Sequence, residues 1–156
     1  MNIRRAIQSD CAALAEFNIA MARETEGIEL MPKVIGAGVE AMINNPQMGF
    51  YLVFEDDGEI QASLMVTTEW SDWRNGLFWW IQSVYVKESY RRQGLYRKLY
   101  ERVKSLAEAE KHVCGFRLYV EHENLVAQET YRSLGMTETG YKMFEELKSD
   151  TEYRSN

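Results

Sequence analysis

An α+β fold, in the form of an α/β sandwich with a mixed, mostly antiparallel central sheet flanked by helices, is predicted by three features of this 156-residue sequence. Patterned segments follow the order β-α-α-β-β-β-α-β-α-β-β, and mixed connections of this kind pack helices against a largely antiparallel sheet. Three strand-like segments come in quick succession between residues 50 and 86, alternating or rich in aromatic and β-branched residues. One link, from a strand at 77–86 through a long helix to a strand at 116–120, is the parallel β-α-β crossover.

The elements follow in order. Residues 3–7 are short and apolar enough for a first strand. Ser9 or Asp10 caps a helix whose apolar stripe runs Cys11, Leu14, Phe17 or Asn18, and Met21, and residues 24–27 end it. Pro32 suits the first turn of a second helix reaching about Ile43, and Asn44-Asn45-Pro46 form a turn. Residues 50–54 alternate, Asp56-Asp57-Gly58 signals a hairpin, and Ile60, Ala62, Leu64 and Val66 mark one face of the next strand. A loop from Trp70 to Gly76 leads into the strand at 77–86. Leu95, Leu99, Val103, Leu106 and Ala107 then keep one stripe at helical spacing. After the 116–120 strand, Asn124 caps a helix with Ala127, Tyr131 and Leu134 on one side, and Gly135 stops it. Residues 136–138 and 141–145 read as a closing pair of short strands.

These elements make one domain, residues 1–147, followed by a polar, mobile tail at 148–156. The formal net charge of −6 argues against general affinity for nucleic acid or anionic lipid. No apolar run approaches the ~18 residues of a membrane span, and residues 1–10 lack a secretory signal. A cytoplasmic protein is expected. Cys11 and Cys114 have no metal-ligand partner at useful spacing, so both read as reduced core residues and no metal site is expected.

Against this acidic background, Arg91, Arg92, Arg97 and Lys98 bracket Gly94 between a strand and a helix. The first N–H groups of a helix lack internal partners and its dipole favours anions. Gly94 permits close approach, and arginines add charge-assisted bonds to phosphate. A pyrophosphate is the natural guest. The Walker Gly-Lys-Ser/Thr and the dinucleotide Gly-x-Gly-x-x-Gly are both missing.

Arg91-Arg92-Gln93-Gly94-Leu95-Tyr96 resembles the R/Q-x-x-G-x-G/A loop of the GNAT superfamily of N-acetyltransferases, departing at the sixth position, where Tyr96 replaces a small residue. Asn124-x-x-Ala127-x-x-x-Tyr131-x-x-x-Gly135-Met136 is similar to a later helix of the same family, and the resemblance in element order spans about residues 2–145. It implies acetyl-CoA as cofactor. Residues 91–97, including Arg97, would hold the pyrophosphate, and Asn124 would also contact the cofactor. The strand at 77–86 would splay from its parallel neighbour, so that backbone at Val84, Tyr85 and Val86 pairs with pantetheine and one N–H polarises the thioester. Tyr131 would protonate the leaving sulfur.

The implied reaction is direct attack by a primary amine, on a small molecule or an exposed peptide amine, in a ternary complex. An alkyl ammonium is only about 0.1 % neutral near physiological pH, a handicap of roughly 4 kcal/mol, so a proton acceptor is needed. Several relatives carry a carboxylate where this sequence has Gln82, which cannot act as a base. A water relay ending at Glu69 or Glu121 is expected instead. Glu24, Glu26, Trp70, Asp72 and Gln82 are candidates for the acceptor site, since acids and tryptophans suit a cation. Two other readings compete: a catalytically idle acyl-CoA-binding module that regulates a partner, and an ATP-binding protein. A homodimer is common among relatives.

Overall fold

Residues 2–155 are described by the computed structural model; Met1 and Asn156, the outer ends of the expected domain and tail, lie outside the described residues. The chain divides into two compact units, residues 2–118 with 153–155 and residues 119–152.

In the first unit, five strands lie in the order β1-β2-β3-β4-β5: β1 (Asn2–Arg5), β2 (Gly49–Asp56), β3 (Glu59–Ser71), β4 (Gly76–Val86) and β5 (Val113–Arg117). Every pairing is antiparallel except β4 with β5, which is parallel. This is the mixed sheet predicted from element order. Its helices are α1 (Cys11–Glu26), α2 (Pro32–Asn44) and the crossover helix α3 (Leu95–Glu108). Leu14 and Phe17 of α1 and Val39 of α2 pack with Tyr51, Val53 and Ile60. Successive strand residues face opposite ways, so Leu52, Phe54, Leu64 and Val66 serve the other face. There α3, burying Leu95, Leu99 and Val103, packs on β2, β3 and β4. Each such side chain contributes about 1.5–3 kcal/mol by leaving water.

Polar staples close the ends of this unit. Asp10 accepts from Arg4 Nη1 at 2.7 Å, Arg4 Nη2 at 3.1 Å and the Ile7 amide at 2.8 Å, while Arg4 Nε donates to Glu55 at 2.7 Å. The α1–α2 loop is tied to α1 by Arg23, whose Nε and Nη2 meet the two oxygens of Glu29 at 2.6 and 2.8 Å. The Met31 amide also donates to the Tyr153 carbonyl at 2.9 Å, and the Ser155 amide to the Glu29 carbonyl at 2.8 Å.

Several expectations are corrected. The end of the supposedly mobile tail forms an antiparallel bridge between Leu30 and Arg154, because its backbone finds partners on the α1–α2 loop. The first strand is residues 2–5, shorter at its far end than expected. Trp70 belongs to β3, which runs to Ser71; only residues 72–75 make the turn before β4. The last parallel strand is residues 113–117, three earlier than 116–120. Local alternation cannot choose between registers, whereas pairing with Leu77–Trp80 does. Cys114, expected in the core, is exposed, and Cys11 is half-buried.

The second unit contains α4 (Leu125–Ser133). Asn124 Oδ1 accepts from the Ala127 amide at 3.1 Å, and Gly135, at φ 89°, closes the C-terminus, with the Met136 amide returning to the Tyr131 carbonyl at 3.1 Å. The closing strands expected at 136–138 and 141–145 do not form among the described residues. Alternation supplies a β-like pattern, but a strand exists only where its N–H and C=O groups meet a neighbour, and Phe144 is 93 % exposed. No helix among the described residues is long and apolar enough to cross a membrane.

Candidate active site

The end of β4 is built differently from its beginning. Parallel pairing with β5 runs from Leu77↔Val113 to Trp80↔Arg117 and stops. Gly115 allows the close approach within that stretch, since a Cβ there would sit 2.9 Å from the Phe78 ring. Beyond Trp80, residues 81–86 keep their antiparallel ladder with β3 but have no strand on the β5 side among the described residues. This segment is also bulged. Ser63 pairs with Tyr85 and Met65 with Gln82, so Ser83 and Val84 together oppose Leu64. Ser83 takes φ 49°, an uncommon conformation for a residue with a side chain. Val84, Tyr85 and Val86 thus lie on a kinked strand edge that no strand pairs with on the β5 side among the described residues.

Past β4 the chain makes an anion cradle. Gly94 caps α3 at φ 71°, no side chain caps the helix, and a Cβ placed on Gly94 would meet nothing within 4 Å. The first internal bond is from the Lys98 amide to the Gly94 carbonyl at 3.1 Å, so the first turn of α3 presents N–H groups, those of Leu95 and Arg97 among them, that make no intrahelical bond. Arg92 and Arg97 form no ion pair among the described residues. Gln93 instead donates to the Ser89 carbonyl at 3.1 Å, steadying the turn. The Tyr96 ring stacks on Tyr100 at 6.2 Å, one helical turn on, with its hydroxyl buried. The residue that departs from the family pattern is thus turned along α3. These donors fit a pyrophosphate, and the open strand edge fits a pantetheine arm.

Arg91 is placed differently from the phosphate-binding expectation. Its Nε donates to the Val86 carbonyl at 3.0 Å and its Nη2 to Glu24 at 2.6 Å. Glu24 also accepts from the Tyr85 hydroxyl at 3.4 Å, so this candidate for acceptor binding is already engaged. Burial and the Glu24 carboxylate push the Tyr85 hydroxyl above its ordinary pKa. Glu26 sits exposed at the end of α1. Gln82 shares a sheet face with Tyr85, and its Nε2 donates to Thr67 Oγ1 at 2.5 Å, which orients the amide.

The remaining acids are spread out. Trp70 pairs with Leu77, five residues before Gln82, or about 17 Å along the strand. Glu69 pairs with Phe78, about 13 Å from Gln82 on the same face, and is ion-paired to Arg117. The Arg117 guanidinium lies 3.7 Å over the Phe78 ring. Asp72 lies in the hairpin turn, accepting from the Trp73 amide at 2.8 Å. The structure therefore gathers Glu24, Gln82, Val84, Tyr85, Val86 and Arg91, and leaves Trp70 and Asp72 at the other end of β4.

In the second unit Asn124 uses Oδ1 to cap α4, which leaves its Nδ2 donors for another partner. Burial pushes the Tyr131 hydroxyl above the ordinary tyrosine range, which suits a proton donor. Glu121 Oε2 accepts from the Glu123 amide at 2.8 Å. The sequence reading missed the Ser83 bulge, Thr67, Arg117 and the Tyr85 hydroxyl. Only the bulge had a signal, the polar Gln82-Ser83 step inside an otherwise apolar strand.

Residues 12–136 match the acetyltransferase (GNAT) family. The chain resembles the crystal structure of a possible acetyltransferase from Clostridium difficile 630 (44 % identity, TM-score 0.88, 94 % of this chain and 96 % of that one). It shares its fold with a predicted acetyltransferase from Clostridium acetobutylicum solved with acetyl-CoA (18 % identity, TM-score 0.77, 93 % and 95 %). The same is true of glucosamine-6-phosphate N-acetyltransferase from Arabidopsis thaliana (21 % identity, TM-score 0.71, 94 % and 98 %). No curated protein matches the sequence. With most of its length matched by the family, and with an open strand edge leading into an anion cradle, the chain belongs to the GNAT acetyltransferases and takes acetyl-CoA as its acyl donor.

Proposed function

We propose that the enzyme acetylates a primary amine, carried by a small molecule or an exposed peptide, by direct attack in a ternary complex. The observation that carries this reading is the bulged edge of β4 at 81–86, open on the β5 side and leading into the Gly94-capped end of α3. Bound acetyl-CoA supplies an activated acyl carbonyl. In this reading the amides of Leu95 and Arg97, with the side chains of Arg92 and Arg97, hold its phosphates. Backbone of Val84, Tyr85 and Val86 aligns its amide-bearing arm. An N–H at the bulge polarises the carbonyl, an electrostatic contribution made without reorganisation at the moment of reaction.

Gln82 is proposed to orient the amine. Thr67 takes its Nε2, which leaves Oε1 to accept an N–H from the nucleophile. Glu26 adds negative potential that favours a cation at the acceptor side. The amine's excess proton leaves through water toward Glu69 or Glu121; Glu69 is supported by lying on the sheet face of Gln82. Tyr131, kept protonated by burial, is the proposed donor to the leaving thiolate. An amino sugar named for one structural neighbour falls within this acceptor class.

Free-thiol release from acetyl-CoA across polyamines, amino acids, amino sugars and peptides tests the proposal. Turnover on a primary amine, lost when that amine is methylated to a quaternary ammonium, is expected. Tight acetyl-CoA binding with no turnover on any amine would refute it.

A further inference from the structure

The arginine that opens the phosphate-loop motif does not lie free in the loop. Its guanidinium reaches back to the Val86 carbonyl (3.0 Å) and across to Glu24 near the end of α1 (2.6 Å), 5.8 Å from the centre of the Tyr85 ring. Glu24 completes the set by accepting from the Tyr85 hydroxyl, and the Tyr85 ring packs on Phe17 of α1 at 4.9 Å. Three contacts thus join the end of β4 and the turn after it to α1: the Arg91–Glu24 ion pair, the Tyr85 hydroxyl on Glu24 and the Tyr85–Phe17 ring pair. Three residues beyond Glu24, Gly27 begins the α1–α2 loop, whose other end is tied to residues 153–155. Arg92 and Arg97 make no such contacts among the described residues.

We infer that Glu24 and Arg91 form a positioning clamp that joins the cofactor-aligning end of β4 to the base of the α1–α2 loop, and that Arg91 is not a phosphate ligand. This rests on the acetyltransferase reading of the preceding section. A guanidinium bonded to a strand carbonyl and to a helix-borne carboxylate holds both elements in register. Removing it releases β4 backbone at Val86 and the helix end together. Phosphate recognition is then left to the α3 amides, Arg92 and Arg97. Arg91 therefore acts through the backbone that aligns the pantetheine arm, a part of the ligand common to acetyl-CoA and acetyl-pantetheine.

Calorimetric binding of these two ligands separates the roles. Arg91→Ala and Glu24→Ala should weaken both ligands by the same factor, about tenfold for loss of one bond to a charged group. Arg92→Ala and Arg97→Ala should weaken acetyl-CoA alone. Arg91→Lys, which keeps the charge but cannot reach both the Val86 carbonyl and Glu24, should recover only part of the loss. A loss in Arg91→Ala confined to acetyl-CoA would overturn the clamp and make Arg91 a phosphate ligand. A second measurement needs no cofactor: amide exchange in the free protein should rise together in residues 27–31 and 84–91 in either single variant. Unchanged exchange in residues 27–31 would overturn the clamp whatever the protein binds, whereas failure of the wild-type protein to bind either ligand would overturn the cofactor assignment instead.

Discussion

Gly94→Ala offers a direct measure of the cofactor cradle. Gly94 has φ 71°, where a Cβ costs about 1–2 kcal/mol, but the added methyl would meet no protein atom within 4 Å. The free protein should therefore lose about 1–2 kcal/mol from strain alone. If the proposed pyrophosphate lies against this turn, the methyl projects toward it. With acetyl-CoA at 100 times the wild-type Kd, linkage stabilises the wild type by about 2.7 kcal/mol. If the methyl raises Kd about 100-fold, the variant gains only about 0.4 kcal/mol from the same ligand. The stability gap should therefore widen from about 1–2 to about 3–4 kcal/mol when acetyl-CoA is present. Urea denaturation of both proteins, with and without ligand, reads this difference. A gap that stays the same on adding acetyl-CoA, in a protein that binds it, would show that Gly94 is needed for the turn and not for the ligand.

Two further outcomes follow from the geometry. Burial raises the Asp10 carboxyl pKa, but the bonds from Arg4 and the Ile7 amide outweigh it and leave the group below its ordinary value of 3.8. A depressed folded pKa contributes stability above the unfolded value and loses it as pH falls through the folded one. Asp10→Asn should therefore cost about 2 kcal/mol at pH 7 and progressively less below about pH 4, as denaturation curves across that range will show. An equal cost at pH 7 and pH 2.5 would remove the ion pair from the explanation. Tyr131→Phe should lower kcat by about 100-fold or more, with little change in acetyl-CoA affinity. Since burial raises the Tyr131 pKa, wild-type kcat should hold through alkaline pH and fall only above the ordinary tyrosine value of 10.0. A fall centred near pH 8 that vanishes in the Phe variant would contradict this.

Much of the site was legible because its signals are local. Leu95, Leu99 and Val103 reveal the inward face of α3 by spacing alone, and all three are buried. Pro32 begins α2 and Asn124 caps α4, each at the position its own stereochemistry favours. What failed depended on partners. The strand expected at 116–120 formed three residues earlier because Val113–Arg117 found the start of β4. The alternation at 141–145 produced no strand among the described residues.

The sequence by itself determined the kind of protein: a mixed α+β chain with a basic, glycine-bearing turn before a helix, suited to a pyrophosphate. These properties reside in stretches of a few residues, where conformational preference and charge act directly. Only the tertiary structure decided where β4 parts from β5, which residues bulge at Ser83, and that Arg91 turns to Glu24. Glu24 and Arg91 are separated by 67 positions in the chain. No local pattern encodes that bond, because it depends on how the sheet register and the packing of α1 bring distant side chains together.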